Sequence, residues 1–169
     1  TPAKTDSAAI KATENPILRL MQITQPYQAE NGRPVYPAAL GYIQSKDTGT
    51  LNDYLAMESV KSKFPSNSVF MYGKAELDDP KAKDILTLYA VKTLDNGQAE
   101  LEGDRIAGAS QDYDERGRIA IKMNMDKVGS NIWAKMTTRN VGKPIAIVLD
   151  NFVYSAPNVN DPITTGNSQ

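Results

Sequence analysis

Residues 140–160 read NVGKPIAIVLDNFVYSAPNVN, and the fold class turns on this stretch. Asn140 and Gly142 suit a helix exit through left-handed backbone, a conformation that glycine and asparagine tolerate best. Residues 145–149 (IAIVL) form a strand apolar on both faces, which predicts a central place in a sheet. Asp150-Asn151 fits a two-residue type I′ turn, residues 152–156 return antiparallel, and Pro157 withdraws the next ladder donor. The result is a supersecondary unit with nothing catalytic in it.

Outward from that unit, Asp126 opens the best helix of the chain, DKVGSNIWAKMTTR, with Val128, Ile132, Trp133 and Met136 on one apolar face. Ahead of it, Ile119, Ile121 and Met123 alternate with Ala120 and Lys122, the period of a strand with one buried face. Residues 107–113 supply a preceding strand, reversed at Glu115-Arg116-Gly117. Residues 85–93 (ILTLYAVKT) are a further strand, and Asp95-Asn96-Gly97 after them is a strong hairpin signal. From 107 onward the order is strand, strand, helix, strand, strand. That order predicts an α+β fold: an antiparallel or mixed sheet with helices packed on one face, with ferredoxin-like elements.

The first half is less regular. Residues 1–14 are small and polar with a weak helical hint at 7–13. Asn15-Pro16 starts a brief helix over 16–22, and residues 25–37 are loop. A short strand at 40–44 precedes capping groups at Asp47-Thr48-Gly49-Thr50. Leu51, Tyr54, Leu55 and Val60 then recur at helical spacing in one helix or two short ones, ended by Pro65. Residues 69–74 are the next strand, followed by a polar loop around Asp78-Asp79-Pro80.

Composition narrows the function. The 169 residues carry 19 basic and 20 acidic side chains, a net charge of -1, without a run of five like charges. Nucleic-acid binding through a basic face and anchoring to anionic lipid both lack their usual signature. Cysteine and histidine are absent, which removes disulfides, thiolate nucleophiles and imidazole bases, together with the usual zinc ligands. The absence of cysteine does not by itself assign a compartment. The longest apolar run, 145–149, is far short of the roughly 20 residues a membrane helix needs. The N-terminus lacks the basic start and apolar stretch of a signal peptide, and the chain is expected to be an excised domain.

No catalytic constellation stands out. Asp78-Asp79 is expected to be a solvated loop, and no GxSxG, SxxK or phosphate-cradling glycine loop occurs. Residues 112–117 (DYDERG) begin like a calcium loop, but Arg116 takes the fifth ligand position and Met123 stands where the bidentate glutamate belongs. No catalytic, cofactor-binding or metal-binding residue is therefore assigned. Trp133 shares its face with Ile132 and Met136 and is expected in the core. Tyr27, Tyr36, Tyr42, Tyr54 and Tyr72 populate the irregular half and offer an adaptable surface for extended polypeptide.

Together with Leu101-Glu102-Gly103, Trp133-Ala134, Thr137 and the trailing Ile163, Gly166 and Ser168, the words IAIVLD and VYSAPNV resemble the periplasmic region of SecD and of fused SecDF protein-export membrane proteins. The likeness is strongest from about residue 90 to the end. Earlier, NPILRLMQ, GYIQSKDTGTLNDYL and VKSKFP are similar to the variable insert of the Bacteroidetes-type fused proteins.

The resemblance implies a first periplasmic domain with a base and a mobile head, on the periplasmic face of the inner membrane, in a protein of the resistance-nodulation-division type. It implies binding of unfolded preprotein beside the SecYEG translocon, with the SecF half as partner, and movement driven by the proton-motive force. It carries no cofactor and no enzymatic activity. Residues 1–84 become the variable, head-like part, and residues 85–169 the α+β sheet unit. Trp133, Thr137, Asn140, Gly142, Asp150, Ser155 and Pro157 become structural signature positions; the preprotein-binding residues stay unassigned. Asn151 departs from the glycine usual in the family, and related sequences continue past Gln169 into another strand, so an unpaired sheet edge is expected. The alternative is a small-ligand or peptide-binding extracytoplasmic module, which would need an aromatic-lined pocket.

Overall fold

The computed structural model describes residues 15–28, 32, 34–74, 82–113, 119–165 and 167–168. The helical hint at 7–13, the loop at 78–80 and the reversal at 115–117 lie outside the described residues. The elements run α1 (Ile17–Leu20), β1 (Met21–Ile23), β2 (Tyr27–Gln28), β3 (Pro34–Val35), β4 (Ala39–Gln44), a 3-10 turn at Ser45–Asp47, α2 (Thr48–Ala56), α3 (Glu58–Lys61), β5 (Ser68–Gly73) and β6 (Ile85–Lys92). After a second 3-10 turn at Gly103–Arg105 come β7 (Ile106–Tyr113), β8 (Ile119–Met125), α4 (Lys127–Arg139), β9 (Ile147–Leu149), β10 (Phe152–Ser155) and β11 (Asn167–Ser168). The chain divides into two units, Thr1–Lys92 with Ile147–Ser155, and Thr93–Ala146 with Ala156–Gln169. Mixed helices and mostly antiparallel sheets make this the α+β fold expected.

The first unit is built on a six-stranded sheet ordered β1-β4-β6-β5-β10-β9. All neighbours are antiparallel except β10, which runs parallel to β5. Its core is Met21, Ile43, Leu51, Leu55 and Leu88, with Leu51 and Leu55 one turn apart on α2. Leu88 is 1% exposed, and burial of this kind supplies most of the driving force for the unit. Gly41 lets β1 approach: a Cβ there would sit 2.4 Å from the Gln22 carbonyl oxygen.

The second unit pairs a three-stranded antiparallel sheet, β11-β8-β7, with α4. Its core is Trp133, Ile145 and Val159, with Leu101, Met125, Met136 and Ile163 packed against them. Asp126 caps α4, its carboxylate accepting the Gly129 amide at 2.6 Å. Gly129 permits the first turn to close on the Arg105 turn, since a Cβ would lie 2.9 Å from Arg105 Cβ and 3.0 Å from its carbonyl oxygen.

Several expectations change. The run 145–149 is not a central strand. Ile145 is buried in the second unit, and the remaining Ile147–Leu149 is the edge of the first sheet, with Val148 and Leu149 exposed. The five elements from 107 onward do not share one sheet, because β7 and β8 pair in the second unit while β9 and β10 join the first. The Asp95-Asn96-Gly97 turn forms, with Gly97 at φ 82 and the Leu94 amide donating to the Gln98 carbonyl at 2.9 Å, but it closes no hairpin. Both sides of β6 are already occupied by β4 and β5, so no strand can return beside it.

At the start of the described chain, α1 stops at Leu20 because Met21 is needed opposite Ile43 in the sheet. Asp47 makes no side-chain cap; it lies inside the 3-10 turn, and Thr48 donates to the Ser45 carbonyl at 2.8 Å. On α4 the buried line is Gly129, Trp133 and Thr137, and Val128 is exposed. Asn140 leaves the helix at φ -112 rather than through left-handed backbone, whereas Gly142 does adopt φ 77.

Candidate functional site

The sequence-selected residues fall into two groups. In the second unit, Trp133, Thr137, Asn140, Gly142 and Pro157 form one connected scaffold. Thr137 is fully buried, and its hydroxyl donates to the Trp133 carbonyl at 2.8 Å while accepting the Ile163 amide at 2.9 Å. The Asn140 side chain donates to the Met136 carbonyl at 2.8 Å, and its backbone carbonyl accepts Lys143 at 2.8 Å. Gly142 donates to the Val159 carbonyl at 2.7 Å, and the Pro157 carbonyl accepts the Ile145 amide at 3.1 Å. Proline cannot donate there, but its carbonyl closes the ribbon between 141–145 and 157–159.

Electrostatics in this unit serve the ends of α4. The backbone hydrogen bond from Gly129, aided by Arg105, holds the Asp126 carboxyl below its ordinary range. At the other end Arg139 grips both carboxylate oxygens of Glu100, and the Glu100 hydrogen bond raises the guanidinium pKa. Among the described residues, the buried indole N–H of Trp133 meets no hydrogen-bond partner. These groups fix a helix and its flanks, and they converge on no reacting centre. Among the described residues no three acidic side chains gather to hold a metal ion.

In the first unit, Asp150 and Asn151 both adopt positive φ, 51 and 64, so the tight turn between β9 and β10 forms as expected. Ser155 ends β10 opposite Ile147, just past a register shift. Of the five tyrosines, Tyr27, Tyr36 and Tyr42 are exposed, Tyr36 at 69%, whereas Tyr54 and Tyr72 are half-buried. The Tyr72 hydroxyl donates to Asn52 Oδ1 at 2.8 Å, and burial raises its pKa.

Sequence reasoning missed a second exposed apolar group: Val148, Leu149, Phe152 and Tyr154 on the hairpin, with the Lys74 ammonium 4.9 Å from the Tyr154 ring. Pro144 was the available signal, because a proline at the head of an apolar run favours a sheet edge over its centre. No helix among the described residues is long and apolar enough to cross a membrane.

Residues 77–169 match the family described as SecDF, P1 head subdomain. That span takes in all of residues 85–169, the part expected to form the α+β sheet unit. Over 156 residues the chain is 35% identical to the protein translocase subunit SecD of Rhodothermus marinus, covering 91% of this chain and 23% of that protein. It is 32% identical over 109 residues to the SecD subunit of Rickettsia bellii, covering 64% of this chain and 18% of that one. A solved structure of SecDF, a translocon-associated membrane protein from Thermus thermophilus, aligns over 95% of this chain and 23% of its own, with 22% identity and a TM-score of 0.42. The chain thus spans less than a quarter of each of these three relatives.

Proposed function

Because the chain belongs to the SecDF P1 head family, we propose that it is a non-enzymatic periplasmic module of a Sec-translocase auxiliary component, one that binds unfolded preprotein and moves to promote export. The observation that carries this reading is the exposure of Tyr27, Tyr36 and Tyr42 in a chain of that family. Phenol rings present large apolar area at low entropic cost and suit extended polypeptide of varied sequence. Capture is weak, since a grip that never releases stalls export.

In this reading Trp133, Thr137, Asn140, Gly142, Asp150, Ser155 and Pro157 are scaffold positions and contact no preprotein. SecYEG and the SecF half are partners of the full-length protein, and the proton-motive force drives the movement from membrane helices outside this chain. Photo-crosslinkers at positions 27, 36 and 42 of the full-length protein test it in exporting cells. Adducts with a translocating substrate are expected from these sites and not from position 137; no adduct from any of the three tyrosine sites overturns the reading.

A further inference from the structure

We propose that the β9–β10 hairpin is a separable clasp, which undocks from β5 as a unit while the β1-β4-β6-β5 sheet stays intact. Those four strands come from one continuous piece of chain, and β6 is held over long antiparallel ladders, from Ile85 to Tyr89 against β4 and from Leu88 to Lys92 against β5. The hairpin meets β5 at only two register positions, Phe152 with Tyr72 and Val153 with Gly73. That pairing is parallel, the less stable geometry per residue. Among the described residues, one more backbone bond, from the Lys74 amide to the Val153 carbonyl at 3.3 Å, and the exposed contact between Lys74 and Tyr154 add to this attachment.

Burial points the same way. Val153 is the only buried side chain in the hairpin, and Val148, Leu149, Phe152 and Tyr154 all stay exposed. No hairpin residue belongs to the core of Met21, Ile43, Leu51, Leu55 and Leu88, so that core survives its departure. The hairpin also carries its own tight turn at Asp150-Asn151, which keeps its two strands together once released. Undocking uncovers the edge of β5 at Tyr72–Lys74. The inference does not depend on what the exposed tyrosines bind.

Native-state hydrogen exchange on the 169-residue chain tests it. The Lys74 amide and the other amides bonded across the β5–β10 junction are expected to exchange ~100-fold faster than those of the β4–β6 ladder, with little denaturant dependence, as local opening requires. Equal protection and equal denaturant dependence at both places would overturn the clasp. A second variant isolates the cause: the chain has no cysteine, so within one molecule K74C/Y154C has a single pairing, the intended bridge between neighbouring strands, and the oxidised monomer is the species measured. Its oxidised form is expected to slow the remaining junction amides to the ladder's level while leaving the ladder unchanged; unaltered junction exchange in the bridged protein would also overturn the proposal.

Discussion

The hydroxyl of Thr137 receives the amide of Ile163 across 26 residues while donating back into its own helix at Trp133. This bond ties the segment after β10 to α4 beneath the Trp133 cluster. Thr137→Val keeps the shape but leaves the Ile163 amide without an acceptor, at an expected cost of about 1–3 kcal/mol. Thr137→Ser keeps the bond and loses one methyl, at about 1 kcal/mol. Urea unfolding of the two variants checks the order; a valine variant as stable as the serine variant would contradict the assignment.

Asp126 gives stability a pH dependence of known sign. Its folded-state pKa lies below the unfolded value, first because of the Gly129 amide and then because of Arg105. The stabilisation is therefore fully present above the unfolded pKa of about 4 and is lost as pH falls through the lower folded value. Asp126→Asn should lower the unfolding midpoint at neutral pH and flatten its slope below about pH 4. Parallel pH profiles for the two proteins would show that the cap contributes nothing.

Two helical glycines should respond to alanine with opposite signs. Gly129→Ala drives a methyl into the Arg105 turn and is expected to cost about 1–3 kcal/mol despite better helix propensity. Among the described residues, nothing lies within 4 Å of a methyl added at Gly49, near the start of α2. Gly49→Ala should stabilise by about 0.5–1 kcal/mol. Thermal unfolding of the pair settles the comparison, and shifts in the same direction would count against the close approach at Gly129.

The turn at Asp150-Asn151 should tighten when glycine replaces the second residue. Asn151, at φ 64, tolerates left-handed backbone but does not favour it as glycine does. Asn151→Gly is expected to raise stability by a few tenths of a kcal/mol, whereas Asn151→Val should cost about 1–2 kcal/mol because a β-branched side chain resists positive φ. The midpoint of chemical unfolding reads both.

Local signals were legible in the sequence where local physics decides. The α4 helix, the positive-φ turn at Asp150-Asn151 and the strands at 39–44, 68–73, 85–92 and 106–113 follow from periodicity and turn chemistry. Pairing across distance was not legible. Residues 145–149 read as one central strand because all five are apolar, yet Ile145 faces one core and Val148 lies on an exposed edge. Asp95-Asn96-Gly97 announces a turn but cannot announce that both flanks of β6 are taken. The tyrosines at 27, 36, 42, 54 and 72 could be grouped by composition; only the fold separates the three exposed ones from the two half-buried ones.

The interleaving of the two units also fixes an order of assembly. A nascent chain releasing its N-terminal end first can lay down four strands of the larger sheet from residues 21–92, but the last two arrive only after most of the second unit has been synthesised. Lys74 and Tyr154 meet from 80 positions apart, so completion of that sheet is a long-range, late and comparatively slow event. The sheet begun first thus waits on strands that the chain supplies more than fifty residues after its fourth.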